Sequence, residues 1–224
     1  MLAALYDIHG SLPALEAVLA DAREAGADAY LLGGDYGAWG PHPLECVALL
    51  RALPKTTWIR GNGERWTREP PLDRPEVVET LQARESGYGT EEGWLYSLQP
   101  QCVLDGVLYV HGSPLSDVDS FAAEPDDERD LWMLDGARDT TVVFGHSHLQ
   151  FRRPGPNGTI LINPGSVGMP LDGDVRAAYG LRRDEGEFEF RRVEYDVERA
   201  AAAYEAMGDD FGKFGAKRIR LGAD

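Results

Sequence analysis

Five histidines occur in this 224-residue chain, and four of them stand where a short apolar run ends. His9 closes Leu-Tyr-Asp-Ile-His, His111 closes Leu-Tyr-Val-His, and His146 and His148 follow Val-Val-Phe-Gly. Asp7 shares the first run, Asp35 closes Leu-Leu-Gly-Gly-Asp, and Asn62 closes Trp-Ile-Arg-Gly-Asn. These seven side chains are nitrogen and oxygen donors without a thiolate among them, a set that suits two divalent ions such as Mn, Fe, Zn or Ni. One bridging carboxylate would hold such a pair together. Two aspartates against two dications leave the cluster with about two positive charges, which attracts a phosphate oxygen. Ions about 3.5–4 Å apart can supply hydroxide near neutral pH and clamp both oxygens of an in-line displacement. Each fragment alone is weak, because a lone Asp-x-His or Gly-Asp is more often a turn than a ligand. Their coincidence at strand ends carries the weight.

The elements that must position these groups begin with β-α-β-α-β: a strand over 2–6, a helix over 12–24, a strand over 29–35, a helix over 43–53 and a strand over 56–62. Leu15, Val18, Leu19 and Ala22 have helical spacing, with Ser11 as cap and Pro13 in the first turn. This order implies a parallel sheet, and ligands of such sheets gather beyond the carboxyl ends of the strands. Asp105-Gly106 between two apolar runs predicts a hairpin. Further helices are expected near 76–84, 126–134 and 197–207. The second half reads as antiparallel hairpins. The fold class is therefore α/β, with two mixed sheets packed face to face and flanked by helices.

Length and composition favour one domain over 1–224. Within it, the polar, proline-bearing stretch 67–97 reads as an insertion, a lid or a homodimer contact, and 208–224 as a solvated tail with a small basic patch. With 22 basic and 38 acidic side chains, the formal charge of −16 argues against stable nucleic-acid binding. No apolar run approaches the roughly 18 residues of a membrane span. The first residues have no basic segment or cleavage signal, so a cytoplasmic protein is expected. Cys46 and Cys102 sit in apolar contexts and read as buried thiols.

Asp7-Ile8-His9, Gly34-Asp35, Gly61-Asn62, Val110-His111-Gly112 and Gly145-His146-Ser147-His148 together resemble the ordered motifs of the calcineurin-like metallophosphoesterases, over positions 1 to about 170. The stretches around Ser11, His42 and Asn163 are similar to small bacterial members of phosphodiesterase type. The resemblance implies a metallophosphoesterase-like four-layer sandwich. It implies that Asp7, His9 and His148 hold one metal, that Asn62, His111 and His146 hold the other, and that Asp35 bridges them. Asp35, Asn62 and His111 would be the catalytic residues, and a metal-bridging hydroxide would attack a phosphodiester or nucleotide-type phosphate bond. Manganese is one candidate metal.

Two departures stand out. Many members carry a histidine after the motif asparagine and an aspartate three residues after the bridging one, a dyad that assists the leaving group; here Gly63 and Ala38 occupy those places. General-acid help of that kind is worth about 10²–10⁴-fold. Diesters and anhydrides with good leaving groups are therefore expected to be better substrates than phosphoserine. Trp39 stands where an arginine clamp is common and offers a stacking face. His42 and Arg65 are further candidates for substrate contact, weighed against an exposed loop residue and a surface ion pair. Arg60 and Trp66 flank Asn62 in the same way, Glu64 is expected to brace its loop, and Asn163 to Ser166 reads as a tight turn. A phosphomonoesterase or protein phosphatase is the alternative within enzymes. A non-catalytic interaction module on the same fold is the alternative outside them.

Overall fold

The computed structural model describes residues 1–83, 85–183 and 186–224. The chain opens with β1 (Leu2–Leu5), α1 (Leu12–Glu24), β2 (Ala29–Leu32), α2 (Pro43–Arg51) and β3 (Thr56–Trp58). Asn62 does not end a strand: β3 stops at Trp58, and Asn62 opens the short α3 (Asn62–Trp66). Then follow α4 (Pro75–Gln82), a 3₁₀ turn at Gly89–Glu91 and α5 (Glu92–Tyr96), which give the expected insertion regular structure. The last residue expected in α4, Arg84, lies outside the described residues.

The hairpin at Asp105-Gly106 forms as β4 (Gln101–Leu104) and β5 (Val107–Val110). After α6 (Asp127–Met133) come β6 (Thr141–Val143), β7 (Gln150–Pro154), β8 (Ile160–Pro164), β9 (Ala177–Arg182) and β10 (Phe188–Val193). The chain ends with α7 (Val197–Glu205) and α8 (Asp210–Leu221).

One sheet has the order β10-β9-β1-β2-β3, with β1, β2 and β3 parallel and the last two strands added antiparallel. The other has the order β4-β5-β6-β8-β7. Its centre, β5-β6-β8, is parallel, contrary to the expectation of antiparallel hairpins. The physical reason is that α6 carries the chain from β5 to β6 as a crossover, and β7 takes the edge so that β8 can pair with β6.

Alternation along β1 sorts the layers. Ala3 and Leu5 pack outward with Leu15, Val18 and Tyr30, whereas Ala4 packs inward with Leu31, Tyr109, Val143 and Ile162. Tyr6 bridges the two sheets by donating its hydroxyl to the Val143 carbonyl at 3.1 Å. On the far face of the second sheet, Val142, Phe144 and Leu161 bury against Met133 and Leu134 of the α6 region. Helix, sheet, sheet and helix thus stack as four layers, as the resemblance implies.

Residues 208–224 are not a solvated tail. Asp209 caps α8 by accepting from the Gly212 amide, and Ala216 and Ile219 bury against Ala200, Ala201 and Tyr204 of α7. Lys213, Lys217 and Arg220 are exposed on the other side of this amphipathic helix, and Arg218 is half-buried. Cys46 is buried and Cys102 half-buried. Among the described residues no helix is long and apolar enough to cross a membrane.

Candidate metal centre

The donors come from the carboxyl ends of strands in both sheets. Asp7 and His9 follow β1, Asp35 follows β2, Asn62 opens α3 after β3, His111 follows β5, and His146 and His148 follow β6. Asp7, His9, Asp35, His146 and His148 have φ of 53°, 49°, 55°, 66° and 59°. Non-glycine residues avoid this left-handed region, and where they occupy it the surrounding structure imposes it, most often at functional sites. The turn that ends β6 answers to the same demand: a Cβ on Gly145 would sit 2.6 Å from Asp7 Oδ2.

All seven donors converge. Asp7 Oδ1 lies 3.9 Å from His9 Nε2, 3.6 Å from His148 Nε2 and 3.8 Å from His111 Nε2. Asp35 turns one oxygen to each side, Oδ2 at 3.8 Å from His9 Nε2 and Oδ1 at 3.5 Å from His111 Nε2. The Asn62 Oδ1 position is 3.0 Å from His111 Nε2 and 2.9 Å from His146 Nδ1. His9 and His148 face each other, Nε2 to Nε2, at 3.0 Å. Two groups within reach of a single ion follow, Asp7-His9-His148 and Asp7-Asp35-His111.

Whether these residues fit metals is decided by their spare electron pairs. Asp7 Oδ1 is buried with no hydrogen-bond partner, while Oδ2 accepts from the His146 amide at 2.9 Å. A buried carboxylate oxygen left bare among imidazole nitrogens is costly unless a cation joins it. His111 Nδ1 and His148 Nδ1 lie 2.8 Å and 2.7 Å from the carbonyl oxygens of Gly33 and Met169. Those bonds hold a ring proton on Nδ1, so that Nε2 is the nitrogen each ring turns to the centre. Asn62 can present its oxygen in the same manner; turning the amide would instead set an NH₂ against both rings and 3.3 Å from the Asp117 carbonyl. The donor set fits two cations.

Electrostatics agree. Burial and the neighbouring imidazoles push His9 down to about 3 and His146 down to about 4. Burial also opposes charge on His111, but Asp35 and Asp7 outweigh it and raise the ring to about 9. Burial raises Asp35 to about 7, with Glu64 and Asp7 adding to it against the pull of His111. Burial works against ionising Asp7 too, yet His148, His111 and His9 together hold it below the usual carboxylate range. A metal-free site thus keeps protons that cations would displace.

Glu64 braces the loops, as expected from sequence. Fully buried, it accepts from the amides of Asp35, Tyr36 and Gly61 at 2.8, 2.9 and 2.9 Å and from the Tyr88 hydroxyl at 2.5 Å. It thereby fixes the turns bearing Asp35 and Asn62 and ties them to the 67–97 segment. The Gly63 amide donates to Asp35 Oδ1 at 2.7 Å, and a Cβ there would come within 2.9 Å of the same oxygen. The turn at 163–166 is structural and clasps the site: Ser166 Oγ donates to the Asp7 carbonyl at 2.7 Å, and Asn163 Nδ2 donates to Gly145 and Ser147.

The substrate-contact candidates divide. Trp39 lines the cleft over the site, together with Trp66. His42 does not reach that lining; it sits at the N-cap of α2 with its ring 3.7 Å from Glu45. Arg65 points into a separate depression and commits its guanidinium to Asp117 at 2.6 and 2.7 Å. Leu81 of α4 and Phe211, Phe214 and Arg218 of α8 line the cleft, and sequence reasoning missed all four. The i, i+3, i+7 spacing of the last three was the available signal.

Comparison with known proteins decides the family. The model of the calcineurin-like phosphoesterase family matches residues 5–178, which include every donor. The chain belongs to the calcineurin-like phosphoesterase family. An uncharacterized protein of Methanocaldococcus jannaschii is 29% identical to this phosphoesterase over 89% of the chain and 90% of its own length. The crystal structure of a metallophosphoesterase from Sphaerobacter thermophilus superposes with a TM-score of 0.78 at 25% identity, covering 99% of this chain and 98% of the other. A hypothetical protein from Pyrococcus horikoshii OT3 shares the fold at TM-score 0.81 and 19% identity, each chain covered in full. Family and geometry together make this a metal-dependent phosphoesterase whose donors fit a dimetal site.

Proposed function

We propose that the phosphoesterase cleaves phosphodiesters or nucleotide-type phosphoanhydrides. Asp7, His9 and His148 would hold one divalent ion, Asn62, His111 and His146 the other, and Asp35 would serve both. The donor set, free of thiolate, suits Mn, Fe, Zn or Ni. Such ions, when bound, supply an ionised water near neutral pH and stabilise the attacking and leaving oxygens. The protein's part is to aim and to exclude. Gly33 and Met169 set the tautomers of His111 and His148, Gly63 orients Asp35, and Glu64 fixes both turns.

The observation that carries the diester preference is that, among the described lining residues, no imidazole or carboxyl outside the donor set faces the cleft. Gly63 and Ala38 line the cleft where the leaving-group dyad would be. Its imidazoles all belong to the donor set, and the Tyr204 hydroxyl is spent on the His9 carbonyl at 2.6 Å. A leaving group must therefore depart without a proton from such a dyad, which favours stable anions. The test compares kcat/KM on a bis-aryl phosphate diester and on the corresponding mono-aryl phosphate, with manganese added. A ratio of at least tenfold toward the diester is expected; preference for the monoester would overturn the reading. Asp35→Asn should abolish turnover and lower metal retention, and a fully active Asp35→Asn enzyme would defeat the site assignment.

A further inference from the structure

The cleft that contains His9, Asp35, Asn62, His146 and His148 has a volume of about 650 Å³, far more than a phosphate group needs. Much of its remaining lining cannot answer a hydroxyl or a charge. Rings come from four separate parts of the chain: Trp39 from the loop after β2, Trp66 from the end of α3, Tyr204 from α7, and Phe211 and Phe214 from α8, with Leu81 of α4 beside them. Arg218 is the one lysine or arginine among the described lining residues, and its guanidinium lies over the Phe214 ring at 4.3 Å from the centroid.

These rings are held in place at some cost. Trp39 has φ of 59°, a conformation that bulky residues avoid, and its amide donates to the Ser86 carbonyl at 2.9 Å. Phe214 remains 46% exposed although Ala216 and Ile219 of the same helix are buried. A sugar phosphate or a phosphoserine peptide would leave hydroxyls and amides unpaired against this wall, which penalises binding. A planar aromatic group would lose apolar surface and stack, with each stacked ring contributing about tenfold or more in affinity.

We propose that the substrate carries an aromatic ring system close to its phosphate, seated against Trp66 and Phe214, with Leu81 closing the slot. This rests on the phosphoesterase reading above and names the chemistry that the same site selects. The aromatic group can be a nucleobase or a simple aryl ring; the cleft reads the flat apolar surface that they share.

The test is titration calorimetry of the manganese-loaded full chain with three phosphonates that cannot be hydrolysed. Naphthylmethylphosphonate is expected to bind at least tenfold more tightly than methylphosphonate and more tightly than hexylphosphonate. Phe214→Ser, at an exposed position, should shrink the naphthyl-to-methyl ratio severalfold, and Phe214→Tyr should restore it. Equal affinities for naphthyl and methyl would overturn the proposal. So would hexyl matching naphthyl, or a ratio unchanged in Phe214→Ser. If the enzyme still hydrolyses diesters in any of those cases, the phosphoesterase reading survives and only the aromatic specificity falls. If no phosphoester is hydrolysed under any metal, both fall.

Discussion

At the scale of single residues, the site is a balance between protons and cations. In the metal-free state His111 is raised to about 9, so at neutral pH its ring is charged and Nε2 carries a proton. A metal must expel that proton, and the one that Asp35, raised to about 7, holds in part. The sign follows: metal affinity falls as pH falls below about 9 and rises as it increases. Manganese titrated at pH 6, 7 and 8 should bind more tightly by about tenfold or more with each unit, most steeply between pH 6 and 7, where both protons are lost. Titrations in two buffers of different ionisation enthalpy should report net proton release. Uptake without proton release would contradict the charge state assigned to His111. The seven side chains could be picked out in the sequence because each lies at or just beyond the end of a short apolar run, and the structure gathers them in one place. His42 and Arg65 were not readable in the same way, since partners such as Glu45 and Asp117 are set by tertiary packing.

At the scale of elements, two buried carboxylates hold the parts together. Glu64 joins the turns after β2 and β3 to Tyr88, so Glu64→Gln places an NH₂ group among donors and leaves at least one unpaired. A loss of about 2–3 kcal/mol in denaturant unfolding is expected, with metal affinity lowered about 10–100-fold. Asp130 of α6 is buried and receives a two-pronged ion pair from Arg153 of β7, at 2.7 and 2.9 Å. Arg153→Met strands the carboxylate and should cost about 3–5 kcal/mol, while Arg153→Met with Asp130→Leu should recover most of it. Neither change touches the donors, so both proteins should keep metal stoichiometry; a stable Arg153→Met single variant would refute this account of the β7–α6 contact. The helices α1, α2, α6 and α7 could be read from apolar spacing, whereas Ser11, expected to cap α1, stands at the N-cap position without a side-chain capping hydrogen bond. The parallel centre β5-β6-β8 could not, because strand order is decided by which edge β7 takes. Helix α8 was hidden by its basic residues, since charge on one face masks burial on the other.

At the scale of the whole molecule, ligands from two sheets and from positions 7 to 148 meet in one place, so cation binding and folding are linked. A ligand that binds only the folded chain at a hundredfold excess over its dissociation constant adds about 2.7 kcal/mol. For a domain of this size that is a rise of roughly 5–10 °C in melting temperature. Manganese should produce such a rise, a chelator should reverse it, and Asp35→Asn should show little of it. The four-layer stack was legible from the alternation of helix and strand patterns, and the family fold agrees with it. The apolar cleft was not, because its walls come from α3, α4 and α8, which no local pattern brings together. The central claim is that the seven donors hold two cations, and elemental analysis of the purified protein after manganese loading and desalting tests it directly. The account predicts two equivalents per chain, falling to one or fewer in Asp35→Asn and in His111→Ala. A wild-type protein that retains no tightly bound metal, or variants that retain two equivalents, would contradict it.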